Sequence, residues 1–247
     1  IAAIRDCNCE SHPSIAAIRS NLAVEPKPRQ YRGAEMAGGA LTVAVYGATG
    51  GTGRRLVPLL LAAGHRVRVL ARTPAKVEGA EGSADLEVLQ GDATDAAAVA
   101  RAAEGADVLV SCLGGKPGGP LVMSRAFQHI LDVAGRQGAK CLFLTTVGVG
   151  KTSLFVKIML SLFVGVKMIA DYEKADGLVL AHTGSPWVLV RPNHLTDGPG
   201  AGGARPYPPE GGWGSAVDRV DVARFLCDCV TSTEWDNKAV SLQGGSK

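Results

Sequence analysis

The chain has 247 residues, 46% hydrophobic and 20% charged, the balance of a globular protein with a sizeable core and a length that suits one α/β domain. A net charge of only +3 supplies no basic field for a nucleic-acid partner. The six cysteines are not arranged as a disulfide framework.

Residues 1–38 come first. Ile1-Ala-Ala-Ile-Arg5 recurs as Ile15-Ala-Ala-Ile-Arg19, and a Pro-broken basic run, Glu25–Arg32, follows. The stretch lacks the continuous apolar core of a secretory signal, and Asp6, Glu10, Glu25 and Glu35 are too many acids for a targeting peptide. It is expected to be an irregular extension outside the fold, with Met36 as an alternative start. The domain is expected at 39–247, with a small substrate-side part toward its carboxyl end.

Leu41–Tyr46 is the first predicted strand. It runs into Gly47-Ala-Thr-Gly-Gly-Thr-Gly53, then into the helical spacing of Leu56, Val57, Leu59, Leu60 and Leu61. Arg66–Ala71 is a second strand, completing a β-α-β unit. Glycines at three-residue spacing let the backbone turn sharply and approach an anion, whose charge the helix N–H groups then hold. A dinucleotide pyrophosphate is therefore expected on Gly47, Thr49, Gly50, Gly51, Thr52 and Gly53, approaching most closely at Gly50.

The alternation continues. Leu86–Gln90 is a strand, Ala96–Ala103 a helix and Asp107–Cys112 a strand. Leu121–Arg136 is a helix with Val122, Ala126, Phe127, Ile130, Leu131 and Ala134 at helical spacing. Lys140–Thr145 is a strand, Ala170–Ala181 a helix and Trp187–Arg191 a strand. Asp218 or Asp221 is placed to cap a helix ending near Val230, and Ala239–Leu242 is a last short strand. Strands apolar on both faces, separated by helices, give a doubly wound parallel sheet with helices on both sides, a single Rossmann-type α/β domain.

Ligands of such sheets sit at the carboxyl ends of the strands, so the residues that follow each strand matter most. After the second strand stands Arg72, where an NAD-specific site would carry an acid; Arg accommodates a 2′-phosphate, which favours NADP(H). Asp92 and Ala93 follow the third strand, and the Asp92 carboxylate can accept from an adenine amino group, while Asp95 fits a helix cap. Cys112, Leu113 and Gly114 end the fourth strand among small residues that let a nicotinamide ribose pass close to the backbone. Thr145 and Thr146 end the fifth strand, and His194 follows the sixth. Cys112, Cys141, Cys227 and Cys229 read as reduced thiols in a cytoplasmic setting. Cys7-x-Cys9 and Cys227-x-Cys229 lack partners at ligand spacing, so no metal site is expected.

Gly47–Gly53, Val69-Leu-Ala-Arg72, Gly91-Asp92 and Val190-Arg-Pro-Asn-His-Leu-Thr-Asp-Gly198, in this order and at these intervals, resemble the atypical short-chain dehydrogenase/reductase group. The resemblance covers roughly Leu41–Leu242. That group includes biliverdin-IXβ/flavin reductase and the NmrA-like proteins. Classical short-chain enzymes use a Tyr-x-x-x-Lys pair to protonate a carbonyl oxygen. Here Tyr31, Tyr46, Tyr172 and Tyr207 are followed four residues on by Glu35, Gly50, Asp176 and Gly211, so the pair is absent. The biliverdin-IXβ/flavin reductase type lacks it too, and carries a Ser after strand five and a His after strand six near the nicotinamide. Thr146 and His194 fall at the matching places, with Thr keeping the hydroxyl and adding a methyl. The resemblance implies an NADPH-dependent reductase of a small planar acceptor (a flavin, a quinone or a biliverdin). The competing class is a non-catalytic NADP(H) sensor or assembly protein of the NmrA-like type, with a sugar epimerase third. Either a monomer or a homodimer fits.

Leu154–Ile169 is strongly apolar, yet Lys157 and Lys167 leave too short a span between them to cross a bilayer. It is expected to line the substrate side, with a dimer contact or a peripheral membrane contact as alternatives.

Overall fold

A parallel strand that is covered on both faces needs apolar side chains, and Thr42–Tyr46 meets that demand from Val43 on. In the computed structural model it is the central strand β1, with Val43 and Val45 fully buried on one face and Ala44 and Tyr46 on the other. The structure describes residues 39–78, 83–115, 118–149, 165–200, 202–207 and 214–245. Helix α1 (Gly53–Ala62) leads to β2 (Arg66–Ala71), then β3 (Leu86–Gln90), α2 (Ala96–Ala103) and β4 (Val108–Ser111). The second half runs α3 (Met123–Gln137), β5 (Lys140–Leu144), α4 (Val166–Leu180) and β6 (Trp187–Pro192). It ends with short strands β7 (Leu195–Thr196), β8 (Ala204–Tyr207) and β9 (Val217–Asp218), helix α5 (Arg219–Thr231) and β10 (Lys238–Gly244).

The main sheet has the order β3-β2-β1-β4-β5-β6-β10-β8, and β8 alone runs antiparallel, against β10. Helices α1 and α5 pack together on one face, and α2, α3 and α4 on the other. The chain leaves β1 toward β2 on one side and later pairs β4 with β1 on the other. That reversal opens a crevice above the carboxyl ends of β1 and β4.

The predicted strands and helices all stand, and β2, β3 and α2 keep the predicted bounds. Three details differ. The last strand runs from Lys238 to Gly244 because it pairs with both β6 and β8. Asp218 occupies the N-cap position of α5 but caps nothing. Its carboxylate instead accepts from Thr196 Oγ1 (2.6 Å) and from the Gly198 and Gly200 N–H groups (both 3.0 Å), which tether the segment after β6. Third, β7, β8 and β9 were not foreseen. Two are two-residue strands, and β8 is a half-exposed edge strand that accommodates Pro206. Residues 1–38 and 154–164, with Cys7, Cys9, Lys157 and Ser161, lie outside the described residues. The rest of the apolar run enters α4, where Met168 and Ile169 are buried and Val166 is exposed. Among the described residues no helix is long and apolar enough to cross a membrane.

Two histidines make stability depend on pH. His65 is buried before β2, where its Nδ1 accepts from the Leu41 N–H (3.3 Å), and burial holds its pKa below the usual imidazole value. His182, beside Ser185 Oγ (3.0 Å), is lowered by burial as well, against a smaller upward pull from Asp132. A histidine lowered on folding stabilises the fold fully above its unfolded value, about 6.5, and that stability drains as pH falls through this value toward the folded one. Urea unfolding at about pH 7.5 and about pH 5.5 is expected to give the lower midpoint in acid, and His65→Asn to reduce the difference.

Candidate functional site

The first turn above β1 is shaped by steric necessity. Gly47 has φ 84°, a left-handed backbone that only glycine adopts freely. A Cβ there would lie 2.7 Å from the Cys112 carbonyl carbon and oxygen and 2.8 Å from the Leu113 nitrogen. The β1 turn therefore lies directly on the end of β4, at the reversal of strand order. At Gly53 a Cβ would strike the Gly47 carbonyl, so the start of α1 is pressed onto the same turn. Gly50 donates its N–H to Gly47 O (3.0 Å) and has no left-handed backbone; a Cβ there would come within 3.2 Å of that oxygen. Thr52 is buried at the N-cap of α1 but makes no side-chain cap, and Thr49 is exposed. A helix start without a side-chain cap is the environment an anion fills. The predicted loop residues are thus brought together as a cradle.

Arg72, exposed after β2, and Asp92, half-buried after β3, face the same edge. Asp92 Oδ1 accepts from the Thr94 N–H and hydroxyl (2.8 Å each). The backbone bond to Thr94 is the main reason its pKa is lowered, opposed by burial and aided by the Thr94 hydroxyl and the Arg72 charge. The cation at 72 is therefore close enough to act on the carboxylate at 92. Asp95 caps α2 by accepting from Ala97 N–H (2.9 Å), and Ala93 is half-buried between them.

At the ends of β4, β5 and β6 the structure adds residues that sequence reasoning passed over. The Cys112 thiol is buried and pushed up to about 12 by burial, so it is no nucleophile. Leu113 is half-buried and Gly114 exposed, and the next N–H, of Gly115, donates to the Tyr172 hydroxyl from α4 (3.0 Å). Beneath them lies a row of buried polar groups comprising Ser111, Thr145, Asp176, Asn193 and, partly exposed, Arg191. Arg191 Nε and Nη2 both donate to Asp176 Oδ2 (2.8 and 2.7 Å). Burial still raises the Asp176 pKa, against the Arg191 charge and hydrogen bond and a nearby Thr145 hydroxyl. Ser111 Oγ and Asn193 Oδ1 have no hydrogen-bond partner of normal geometry among the described residues. Asn193 uses its amide to donate to the Gly214 carbonyl. The available signal was an Arg ending an otherwise apolar strand and an Asp on the buried side of an amphipathic helix.

Thr145 and Thr146 lie on opposite sides of the strand end. Their backbone stays extended beside β6, with Thr145 N–H donating to Val190 O and Val147 N–H to Pro192 O. Successive side chains then point to opposite faces. Thr145 is buried toward Asp176, while Thr146 is half-buried on the other side. His194 is exposed, and its carbonyl accepts from Val217 N–H (2.9 Å), which pins the loop while leaving the ring in the open. A cavity of about 710 Å³, lined by Gly39, His65, Cys227 and Asp228 among others, lies at the opposite end of the strands and takes no part in this site.

The sequence profile of the NAD(P)H-binding family matches residues 47–233, from the first glycine of the cradle through α5. The chain belongs to this family. Its ligand class is accordingly a nicotinamide dinucleotide, and the cradle, with no side-chain cap on the start of α1, fits its phosphates. Among solved structures the fold is similar to ChuY, an anaerobilin reductase from Escherichia coli O157:H7. The identity is 22%, the likeness covers 83% of this chain and 98% of that one, and the TM-score is 0.70. It is similar too to a short-chain dehydrogenase/reductase from Veillonella parvula in complex with NADP, at 13% identity, 83% and 95% coverage and a TM-score of 0.71. The oxidoreductase ylbE from Lactococcus lactis is a third, at 17% identity, 84% and 92% coverage and a TM-score of 0.69. At these identities the likeness is one of fold.

Proposed function

We propose that the protein is an NADPH-dependent reductase of a small planar acceptor, a flavin, a quinone or a bilin. The observation that carries this reading is the ledge formed by the described residues at the ends of β4, β5 and β6. There Gly114 and His194 are exposed and Thr146 is half-buried, at the strand ends where ligands of such sheets sit. That ChuY, of like fold, is an anaerobilin reductase supports the acceptor class.

When bound, the dihydronicotinamide supplies the hydride. The chain's residues do the rest. Gly47, Gly50 and Gly53, with the N–H groups around Gly51 and Thr52, hold the diphosphate. Thr49 borders it. Arg72 pairs with the 2′-phosphate, and Asp92 with Ala93 receives the adenine. Cys112, Leu113 and Gly114 pass the nicotinamide ribose along their backbone, and the buried Thr145 hydroxyl, beside the Asp176 carboxylate, serves the nicotinamide side. His194 donates a proton to the reduced acceptor, and Thr146 offers a second hydrogen bond. Anaerobic mixing of the NADPH-loaded protein with flavins, quinones and bilins tests the reading, because turnover with at least one class is expected.

The choice of NADPH over NADH rests on Arg72. A charge-assisted contact with the 2′-phosphate contributes about 1.5–3 kcal/mol, or roughly 10- to 150-fold in affinity. Arg72→Glu is therefore expected to weaken NADPH by at least that factor and NADH little, as read by fluorescence titration. Equal affinities of the unmodified protein for the two nucleotides would refute the assignment.

A further inference from the structure

The family pattern requires glycine at 47, 50 and 53, and leaves position 51 free. Yet 51 is glycine as well. The reason lies 168 positions later, at the first residue of α5. A Cβ on Gly51 would sit 2.7 Å from both Cδ and Nε of Arg219, so the arginine stem crosses directly over the Gly51 backbone. Its Nη1 reaches Asp197 Oδ2 at 2.9 Å. Arg55 approaches from α1, with Nη2 3.1 Å from Asp197 Oδ1 and Nη1 donating to the Gly51 carbonyl at 2.6 Å. Two guanidiniums thus converge on the middle of the glycine loop, both ending on one carboxylate.

We propose that Arg219 is a ligand of the cofactor diphosphate and that Asp197 holds its place in the free protein. The inference rests on the cofactor reading above and adds a residue from the far end of the chain. The Asp197 side chain is 60% exposed, so its ion pairs are screened by water and weak. A diphosphate lying on the uncapped start of α1 presents oxygens that take the guanidinium fork in the carboxylate's stead. Arg55, bonded to the loop carbonyl itself, braces the cradle rather than leaving it. Asp197 is set in place by the bonds from Asp218 to Thr196, Gly198 and Gly200 on either side of it. The diphosphate is common to NADPH and NADH, so Arg219 adds affinity without discrimination, whereas Arg72 discriminates.

The test is titration of the full chain with NADPH, NADH, ADP-ribose and adenosine 2′-phosphate. Arg219→Gln is expected to weaken the first three by one common factor, about 10- to 150-fold, and to leave adenosine 2′-phosphate unchanged. Asp197→Asn is expected to act in the opposite direction and tighten ADP-ribose, because a competing negative charge is gone. An unchanged ADP-ribose affinity in Arg219→Gln overturns the proposal. So does an equal loss for adenosine 2′-phosphate, or a loss in Asp197→Asn that matches Arg219→Gln, since either marks a bridge that only holds the loop's shape. Failure of the unmodified protein to bind any of the four overturns the cofactor reading along with it.

Discussion

Gly47→Val is expected to abolish nicotinamide nucleotide binding and to lower the melting temperature in the same variant. The left-handed backbone at φ 84° costs an L-residue about 1–2 kcal/mol, and a branched side chain is the worst choice for it. The Cβ would also enter the Cys112–Leu113 peptide at 2.7–2.8 Å, and backbone at the β1–β4 contact cannot step aside without opening the sheet. Gly50→Val is the informative companion. Gly50 has no left-handed backbone, and its nearest obstacle is a single oxygen at 3.2 Å. Here the fold is expected to persist while the added side chain blocks the approach of the pyrophosphate. Thermal melts and NADPH titrations of the two variants separate the effects. If Gly50→Val binds NADPH normally, the phosphates lie elsewhere.

The second large effect is expected at His194. An exposed imidazole on the carboxyl side of the sheet can give a proton to an acceptor on the ledge. His194→Ala is expected to lower kcat about 10²–10⁴-fold for acceptors that need protonation, with little change in NADPH affinity. For a free flavin, which takes its proton from water, the fall is expected to be much smaller. Because the ring is exposed, its removal is expected to leave the melting temperature unchanged. A uniform loss across all acceptors together with a lower melting temperature would make His194 a packing residue and remove the proton-donor role.

The strands and helices were readable because each half of the pattern is local. Val43–Tyr46, Val69–Ala71 and Val108–Val110 are apolar on both faces, and the α3 stripe from Ala126 to Ala134 keeps one face through more than two turns. The glycine cradle was readable for the same reason, since turn, strand and helix start are contiguous. What escaped was made by distance. Arg191 was seen only as the end of a strand, and Asp176 only as the residue standing where a catalytic lysine was missing. Neither shows in sequence that 15 positions apart they form a buried pair beside the Thr145 hydroxyl. Asp218 looked like a cap because caps are local; the segment it tethers returns from β6 through a turn that no periodicity marks. Gly51, Asp197 and Arg219 belong to three separate elements, and only their packing shows why the fourth glycine is needed. β8 carried the weakest signal, four residues with half their surface in solvent.

The central claim, hydride delivery from bound NADPH to a planar acceptor on the β4–β6 ledge, is tested most directly by single-turnover oxidation of stoichiometric bound NADPH under anaerobic conditions. Flavins, quinones and bilins are presented one at a time, with the nicotinamide C4 hydride replaced by deuteride in a parallel series. The account predicts rapid single-exponential oxidation with at least one acceptor class, slowed by deuterium and abolished in Gly50→Val. Tight NADPH binding with no oxidation by any acceptor would contradict it and identify a protein that senses the cofactor without spending it.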